Sequence, residues 1–269
     1  MTDNIGVLGC GWLGFPLAQR LVKNSHIVHG STTSKDKLVL LQEEGIRPFR
    51  ITLSETELQG DIAGFLSNIN ILIINVPPRL RGKNAESFVE KMKLVHTEIK
   101  KSDVAKLIFI SSTSVYGTVE GEVTEQTPPQ PNTESGKQLL VCEQRFMDDP
   151  DLQTTVIRFG GLIGPDRHPV TMLSNKQHLS NGQDPINLIH LEDCIHMITT
   201  IIQNQYWGEI FNGVYPLHPK KMDYYADEAK KRGIPPPNYL DNPPKHEGKV
   251  VLSTNFLDKS HRFTTSIFT

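Results

Sequence analysis

Three glycines, Gly9, Gly11 and Gly14, follow the apolar run Ile5–Leu8 at G-x-G-x-x-G spacing. Between a buried strand and a helix, glycines so spaced do one kind of chemistry. The first makes a tight turn, the second lets bare backbone approach a pyrophosphate, and the third lets the helix pack close to the sheet. The free N–H groups and dipole of the helix N-terminus then attract the phosphates. Gly9, Cys10, Gly11, Trp12, Leu13 and Gly14 are therefore candidate dinucleotide contacts. The flanks suit this reading, since Leu17, Ala18, Leu21 and Val22 give a helical stripe over Phe15–Lys23 that ends at Asn24-Ser25, ahead of a second apolar run at His26–His29.

A second group of polar residues, Ser31-Thr32-Thr33-Ser34-Lys35, lies about 20 residues past the glycines, where an NAD-binding pattern carries an acid for the ribose hydroxyls. No carboxylate occurs there before Asp36. A carboxylate would repel a 2′-phosphate, whereas hydroxyls and an ammonium attract one. Thr32, Thr33, Ser34 and Lys35 are thus expected around the 2′-phosphate of NADP, with NAD as the alternative if the segment is merely a polar β–α turn.

The elements that must hold these groups recur along the chain. Strand-like runs fall at Ile5–Leu8, Ile27–His29, Phe49–Leu53, Ile69–Val76, Leu107–Ser111 and Thr155–Arg158, and helical spacing falls at Leu38–Glu44, Leu58–Ser67, Ala85–Lys100 and Lys137–Met147. Nearly all-apolar strands alternating with amphipathic helices predict an α/β protein, a Rossmann-like doubly wound parallel sheet covered on both faces. After about Gly164 helices are expected to be shorter, with Pro235-Pro236-Pro237 and Pro243-Pro244 breaking the chain into loops. This predicts a dinucleotide-binding core over 1–164 and a small substrate-side lobe over 165–269, with elements returning to the core.

Composition narrows the partners. A formal net charge of -2 gives no electrostatic footprint for nucleic acid or an anionic membrane. Cys10, Cys142 and Cys194 are far apart and outside any C-x-x-C arrangement, so neither a disulfide framework nor a metal site is expected. The longest mainly apolar stretch, Ile69–Val76, is too short to span a bilayer, and no basic-then-apolar leader precedes the first strand. A cytoplasmic protein with a small-molecule ligand is the expectation.

Further motifs stand in a fixed order: Ser111-Ser112-Thr113-Ser114-Val115-Tyr116-Gly117, Pro128-Pro129-Gln130-Pro131, Arg158-Phe159-Gly160-Gly161-Leu162-Ile163-Gly164-Pro165 and Ile189-His190-Leu191-Glu192-Asp193. With them the chain resembles the extended short-chain dehydrogenase/reductase family of nucleotide-sugar epimerases and dehydratases. The resemblance covers nearly the whole chain. It implies that Val76, Pro77 and Ser111 lie beside the cofactor, that Ser112 hydrogen-bonds substrate unless it only caps the strand end, and that Tyr116 packs and orients. It implies that His190 is a packed polar residue, and it allows a homodimer through the fourth and fifth helices. It also brings Arg167 and His168 to the mouth where substrates lie, to hold a phosphate or carboxylate unless they form an ordinary charged loop.

The family's chemistry depends on a Y-x-x-x-K pair. Four apart on a helix, the two share a face, so the ammonium lowers the phenol pKa and the phenolate exchanges a proton with substrate while nicotinamide carries hydride. This chain has no such pair: alignment over Ser135–Gln144 puts Ser135 at the tyrosine position and Leu139 at the lysine position. Lys137, two residues from Ser135, faces away. Thr133 and Lys137 are four apart and offer a degenerate T-x-x-x-K face, although Thr133 also suits a helix cap and Lys137 a solvated surface. Ser112, Ser135, Thr133 and Lys137 are the catalytic candidates of an atypical member. Two functions stay open: an oxidoreductase or epimerase-like enzyme on a small hydroxylated or sugar-nucleotide substrate, or a catalytically silent protein that senses NADP(H) or holds a ligand.

Overall fold

A computed structural model describes residues 2–80, 86–240 and 247–268. In chain order the elements are β1 (Asn4–Leu8), α1 (Gly14–Lys23), β2 (Ile27–Thr32), α2 (Asp36–Glu43), β3 (Arg47–Arg50), β4 (Thr52–Leu53), β5 (Leu58–Gln59), α3 (Ile62–Leu66), β6 (Ile71–Ile74) and α4 (Phe88–Ile99). They continue with β7 (Lys106–Ser112), a 3-10 turn (Thr113–Tyr116), β8 (Gly121–Val123), α5 (Glu134–Met147), β9 (Gln153–Phe159), β10 (Gly161–Ile163), α6 (Pro169–Leu173), β11 (Leu188–His190) and α7 (Leu191–Asn204). The last are β12 (Ile210–Gly213), α8 (Lys221–Lys231), β13 (Lys249–Val251) and α9 (Thr254–Asp258).

Seven strands form one parallel sheet in the order β12-β9-β7-β6-β1-β2-β3. Its faces follow from strand periodicity, because alternate residues point to opposite sides. Ile5, Val7, Ile71, Ile73, Ile108 and Ile157 pack under α1 and α7. Leu8, Leu72, Ile74, Leu107, Phe109 and Val156 pack with the helices α3, α4 and α5. Both faces are dry, which is why these strands read as continuous apolar runs. A third apolar cluster, including Ile163, Val170, Leu188, Tyr224 and Tyr225, lies around β10, β11, α6 and α8. The chain beyond Gly164 also returns to the sheet through β12, paired with β9 from Ile210 to Gly213, and through α7.

Three expectations are corrected. Leu58–Ser67 is not one helix: Leu58-Gln59 pairs antiparallel with Thr52-Leu53. Gly60 then turns at φ +110, where a Cβ would come within 2.0 Å of the Arg50 carbonyl, and only Ile62–Leu66 is helical, capped by the Asp61 carboxylate on the Gly64 N–H at 2.8 Å. The Phe49–Leu53 run is likewise divided between β3 and β4. Helices beyond Gly164 are not uniformly short, since α7 has 14 residues, of which Leu191 and Asp193–Ile195 among others are buried. Ala85, the expected start of α4, and Pro243-Pro244 lie outside the described residues.

Candidate cofactor and catalytic site

The sheet order reverses between β1 and β6, and in open α/β sheets ligands lie beyond the carboxyl ends of strands at such a point. The three glycines sit there and are glycine for three different reasons. Gly9 has φ +105, and a Cβ on it would stand 2.8 Å from the Asn75 carbonyl. A Cβ on Gly14 would stand 2.1 Å from the Gly9 carbonyl. A Cβ on Gly11 would meet nothing within 4 Å. Two of the glycines are therefore forced by the protein's own backbone, and the third leaves open space. Asn75, which the sequence reading passed over as a chemical group, donates its amide to the Gly9 carbonyl at 3.1 Å and ties the two sides of the reversal together.

The end of β2 completes this wall. The Ser31 hydroxyl accepts the Gly9 N–H at 2.9 Å, and the Ser31 carbonyl accepts the Cys10 N–H at 2.7 Å, so the glycine turn is fixed by its neighbour strand. The Thr32 hydroxyl accepts the Ser34 N–H at 3.1 Å. A cleft of about 610 Å³ runs along this wall, with Gly9, Cys10 and Gly11 as floor, Thr32, Thr33, Ser34 and Lys37 on one side, and Ile51, Leu53, Val76 and Pro77 as an apolar strip. Lys37 also borders a neighbouring apolar recess of about 310 Å³ between Phe15 and Leu40. Of the two lysines at the start of α2 it is Lys37 that lines the cleft, where Arg79 and Lys91 add further positive charge, whereas Lys35 stands at the N-cap of α2 and does not line it. The start of α2 at Asp36 decides this, and the sequence alone did not locate it to the residue. Cys10 and Leu13 are buried beneath the turn, and burial pushes the Cys10 thiol up to about 12, which leaves it a packed, unreactive group.

Ser112 caps the 3-10 turn at the carboxyl end of β7, its hydroxyl accepting the Ser114 N–H at 3.1 Å. The first turn of α5 lies against it, since a Cβ on Gly136 would stand 2.7 Å from the Ser114 carbonyl. Thr133 caps α5 through the Gly136 N–H at 3.1 Å and is exposed, as is Lys137; Ser135 is half-buried. Leu139 is 4% exposed and belongs to the core on the α4/α5 side of the sheet. The structure therefore brings the Ser112 turn and the Ser135 turn together, while Leu139 on the same helix is turned into packing.

Ser111 points the other way. Its hydroxyl donates to Glu143, which also receives three bonds from Arg158, Nε to both oxygens at 3.2 Å and Nη2 to one of them at 2.6 Å. Arg158 donates further to the Tyr116 hydroxyl at 2.9 Å and stacks on that ring at 4.9 Å; Tyr116 donates to the Asn212 side chain at 2.9 Å. All five residues are buried. Burial pushes the Tyr116 phenol above its ordinary value, so it is a fixed donor rather than a phenolate at neutral pH. The expected packing role of Tyr116 is what the geometry has; Glu143, at the end of this chain of bonds, lies in the segment aligned over Ser135–Gln144, but nothing in the sequence signalled that it pairs with Arg158.

His168 is also turned inward, 5% exposed. Its Nδ1 accepts the Val170 N–H at 3.2 Å, its Nε2 meets the Tyr224 hydroxyl at 3.0 Å, and that hydroxyl donates to the Ile267 carbonyl at 2.8 Å. Burial lowers its pKa to about 4. With both ring nitrogens engaged inside the third cluster, His168 is a neutral pillar of the lobe and not an anion-holding group at its mouth. Arg167, beside it, is exposed. His190 caps α7, its Nδ1 accepting the Glu192 N–H at 3.2 Å. Among the described residues no three His, Cys, Asp or Glu side chains are placed to hold a metal ion, and no helix is long and apolar enough to cross a membrane.

A parallel sheet doubly covered by helices, with a glycine turn at its point of reversal, makes this a Rossmann-like α/β protein. The model of the NAD dependent epimerase/dehydratase family matches residues 5–212, and the chain belongs to that family. It is 32% identical over 248 residues to Protein YeeZ of Escherichia coli K12, covering 92% of this chain and 90% of that one. To the chloroplastic epimerase family protein SDR39U1 homolog of Arabidopsis thaliana it is 22% identical over 267 residues, 90% of this chain and 75% of that one. Among solved structures, MoeE5 in complex with UDP-glucose and NAD superposes with a TM-score of 0.77 at 18% identity, covering 98% of this chain and 95% of that one. UDP-glucuronic acid 4-epimerase from Bacillus cereus in complex with NAD gives 0.75 at 19% identity, covering 94% and 90%.

Proposed function

We propose that this protein binds NADP(H) and acts on a small hydroxylated or sugar-nucleotide substrate without the tyrosine–lysine pair of its family. The observation that carries the cofactor half is the open space over Gly11 between two glycines that the backbone itself requires. That space suits a pyrophosphate resting on bare backbone. Thr33, Ser34 and Lys37, with Thr32 beneath them and Lys35 two residues before Lys37, would take the adenosine 2′-phosphate, and Ile51, Leu53 and Val76 would pack the adenine. When bound, the nicotinamide supplies or accepts hydride. Ser112 at the strand end would orient the substrate hydroxyl, while Ser135 and Thr133, whose hydroxyls do not ionise near neutral pH, leave the proton to water or substrate. Residues 165–269 would form the substrate side.

Titration calorimetry with NADPH and NADH tests the cofactor, and equal affinity for both would remove the 2′-phosphate assignment. UDP-glucose and UDP-glucuronic acid, named with two fold neighbours, are the first substrates to offer, followed by small carbonyl compounds. The burial of Leu139 favours a second reading, a silent NADP(H)-responsive protein, because a core residue at the lysine position leaves no cation to lower a hydroxyl pKa. Tight cofactor binding with no turnover over the whole panel would select it.

A further inference from the structure

The fourth residue of the glycine turn, Trp12, holds a feature that the cofactor site has not absorbed. The Trp12 indole N–H donates to the Pro165 carbonyl at 3.1 Å, across 153 positions of sequence. The turn that carries Pro165 is closed tightly by two backbone bonds, Gly164 N–H to Arg167 carbonyl at 3.0 Å and Arg167 N–H to Gly164 carbonyl at 3.1 Å, with Asp166 at φ +56. A Cβ on Gly164 would stand 3.1 Å from the indole, so the turn rests directly on the ring. From its far corner the Arg167 guanidinium lies over the Trp12 ring at 4.9 Å. The ring is thus held by its edge while its face carries a cation.

Arg167 is exposed, and among the described residues no carboxylate pairs with it. It stands over the residue next to Gly11, where the backbone is bare. A guanidinium on an exposed ring is held weakly, whereas two parallel N–H bonds to a phosphate are among the stronger contacts a side chain makes. Resting on Trp12, the side chain is held near its working position at little cost to exchange.

We propose that Arg167 is a pyrophosphate ligand of the dinucleotide, presented by the Trp12 ring, so that the substrate-side turn Gly164–Arg167 closes one wall of the cofactor site. This rests on the reading of Gly9–Gly14 as a dinucleotide site. It assigns Arg167 to the cofactor rather than to the substrate, and it gives Trp12 a function as platform and anchor beyond its backbone.

The chain has two tryptophans, so Trp207→Phe leaves Trp12 as the sole reporter. In that background, NADPH and NADH are titrated by Trp12 fluorescence, with adenosine 2′-monophosphate, which lacks the pyrophosphate, as the comparison ligand. The expected result is quenching of Trp12 with energy transfer to the reduced nicotinamide, an affinity about tenfold lower in Arg167→Ala, and partial recovery in Arg167→Lys. Adenosine 2′-monophosphate should bind Arg167→Ala and its parent alike. Raising the salt should narrow the gap between parent and Arg167→Ala for NADPH. Unchanged NADPH and NADH affinity in Arg167→Ala overturns the proposal. So does an equal loss for the dinucleotide and for adenosine 2′-monophosphate, which would mark a general disturbance of the site. Failure of the parent to bind either dinucleotide overturns the cofactor reading itself, a result distinct from the other two.

Discussion

The glycine turn after β1 and the first turns of α5 face the same cleft end of the sheet, yet they are built on opposite terms. At the glycine turn every contact keeps a space open: Gly9 and Gly14 are pinned by backbone, Asn75 and Ser31 brace the loop, and Gly11 is left bare. At α5 the corresponding space is filled, with Leu139 in the core and Thr133 used as a cap. One turn leaves bare backbone toward the cleft, and the other turns its side chain into packing. Binding and chemistry are therefore separable in this fold, and variants on each side should behave differently.

The largest expected effect is at the cradle. Gly11→Val should leave folding stability within about 0.5 kcal/mol, because its side chain enters empty space. It should still weaken dinucleotide binding by about a hundredfold in calorimetry, the equivalent of two charge-assisted bonds. Gly14→Ala inverts the pattern, since its methyl meets the Gly9 carbonyl; a loss of about 1–3 kcal/mol in urea unfolding is expected. If Gly11→Val binds normally, the contrast between the two regions collapses.

At the filled side, installing the missing pair as Ser135→Tyr with Leu139→Lys should cost stability before it gives activity. Losing the Leu139 packing alone is worth about 2–5 kcal/mol, and the new ammonium is desolvated as well. Ser135→Tyr alone, at a half-buried position, should be far milder. Urea unfolding of the two single variants separates the contributions, and a stable double variant with rapid NADPH consumption would show that the face was only dormant.

Cofactor choice is a smaller effect. Lys37→Glu should turn the preference from NADPH toward NADH by about tenfold, while Lys35→Glu should change it less, because Lys37 lines the cleft and Lys35 does not. Equal shifts in the two variants would return the assignment to the polar turn as a whole.

The smallest effect lies away from both regions. Burial works against the Asp149 carboxylate, but the Asp151 N–H, Lys100 and His96 outweigh it and hold its pKa at about 2. A carboxyl depressed in the folded state stabilises above its ordinary value and loses that contribution as pH falls toward 2. Asp149→Asn should therefore lower stability at neutral pH and flatten the acid limb between about pH 4 and 2, without changing cofactor affinity.

What was readable in the sequence follows from range. Ile5–Leu8, the glycines and the stripe through Leu17 and Leu21 are local patterns, and each is present in the fold. Leu58–Ser67 misled because Leu58, Ile62 and Phe65 keep helical spacing, while Gly60 breaks the backbone that would carry it. Arg158 and Glu143 fall within family-like segments of the sequence, but that they pair with each other shows only once β7 and β9 pair at Ser111 and Arg158 and α5 closes over them. His168 fits a charged loop in sequence, and only Tyr224 and Ile267, far along the chain, enclose it. The choice between Lys35 and Lys37 turns on where one helix begins.

The return of β12 and α7 to the sheet has a consequence for any attempt to divide the molecule. A fragment ending at Gly164 would lack the partner of Val156–Phe159 and would bare one whole margin of the sheet, together with the apolar surface that α7 covers. An unpaired, flat, hydrophobic margin invites pairing with another copy. Such a fragment should precipitate rather than fold as an isolated nucleotide-binding module, while a chain nicked within an exposed loop of the distal half should hold together. The strands that come first in the sequence thus share one sheet with a strand that comes late.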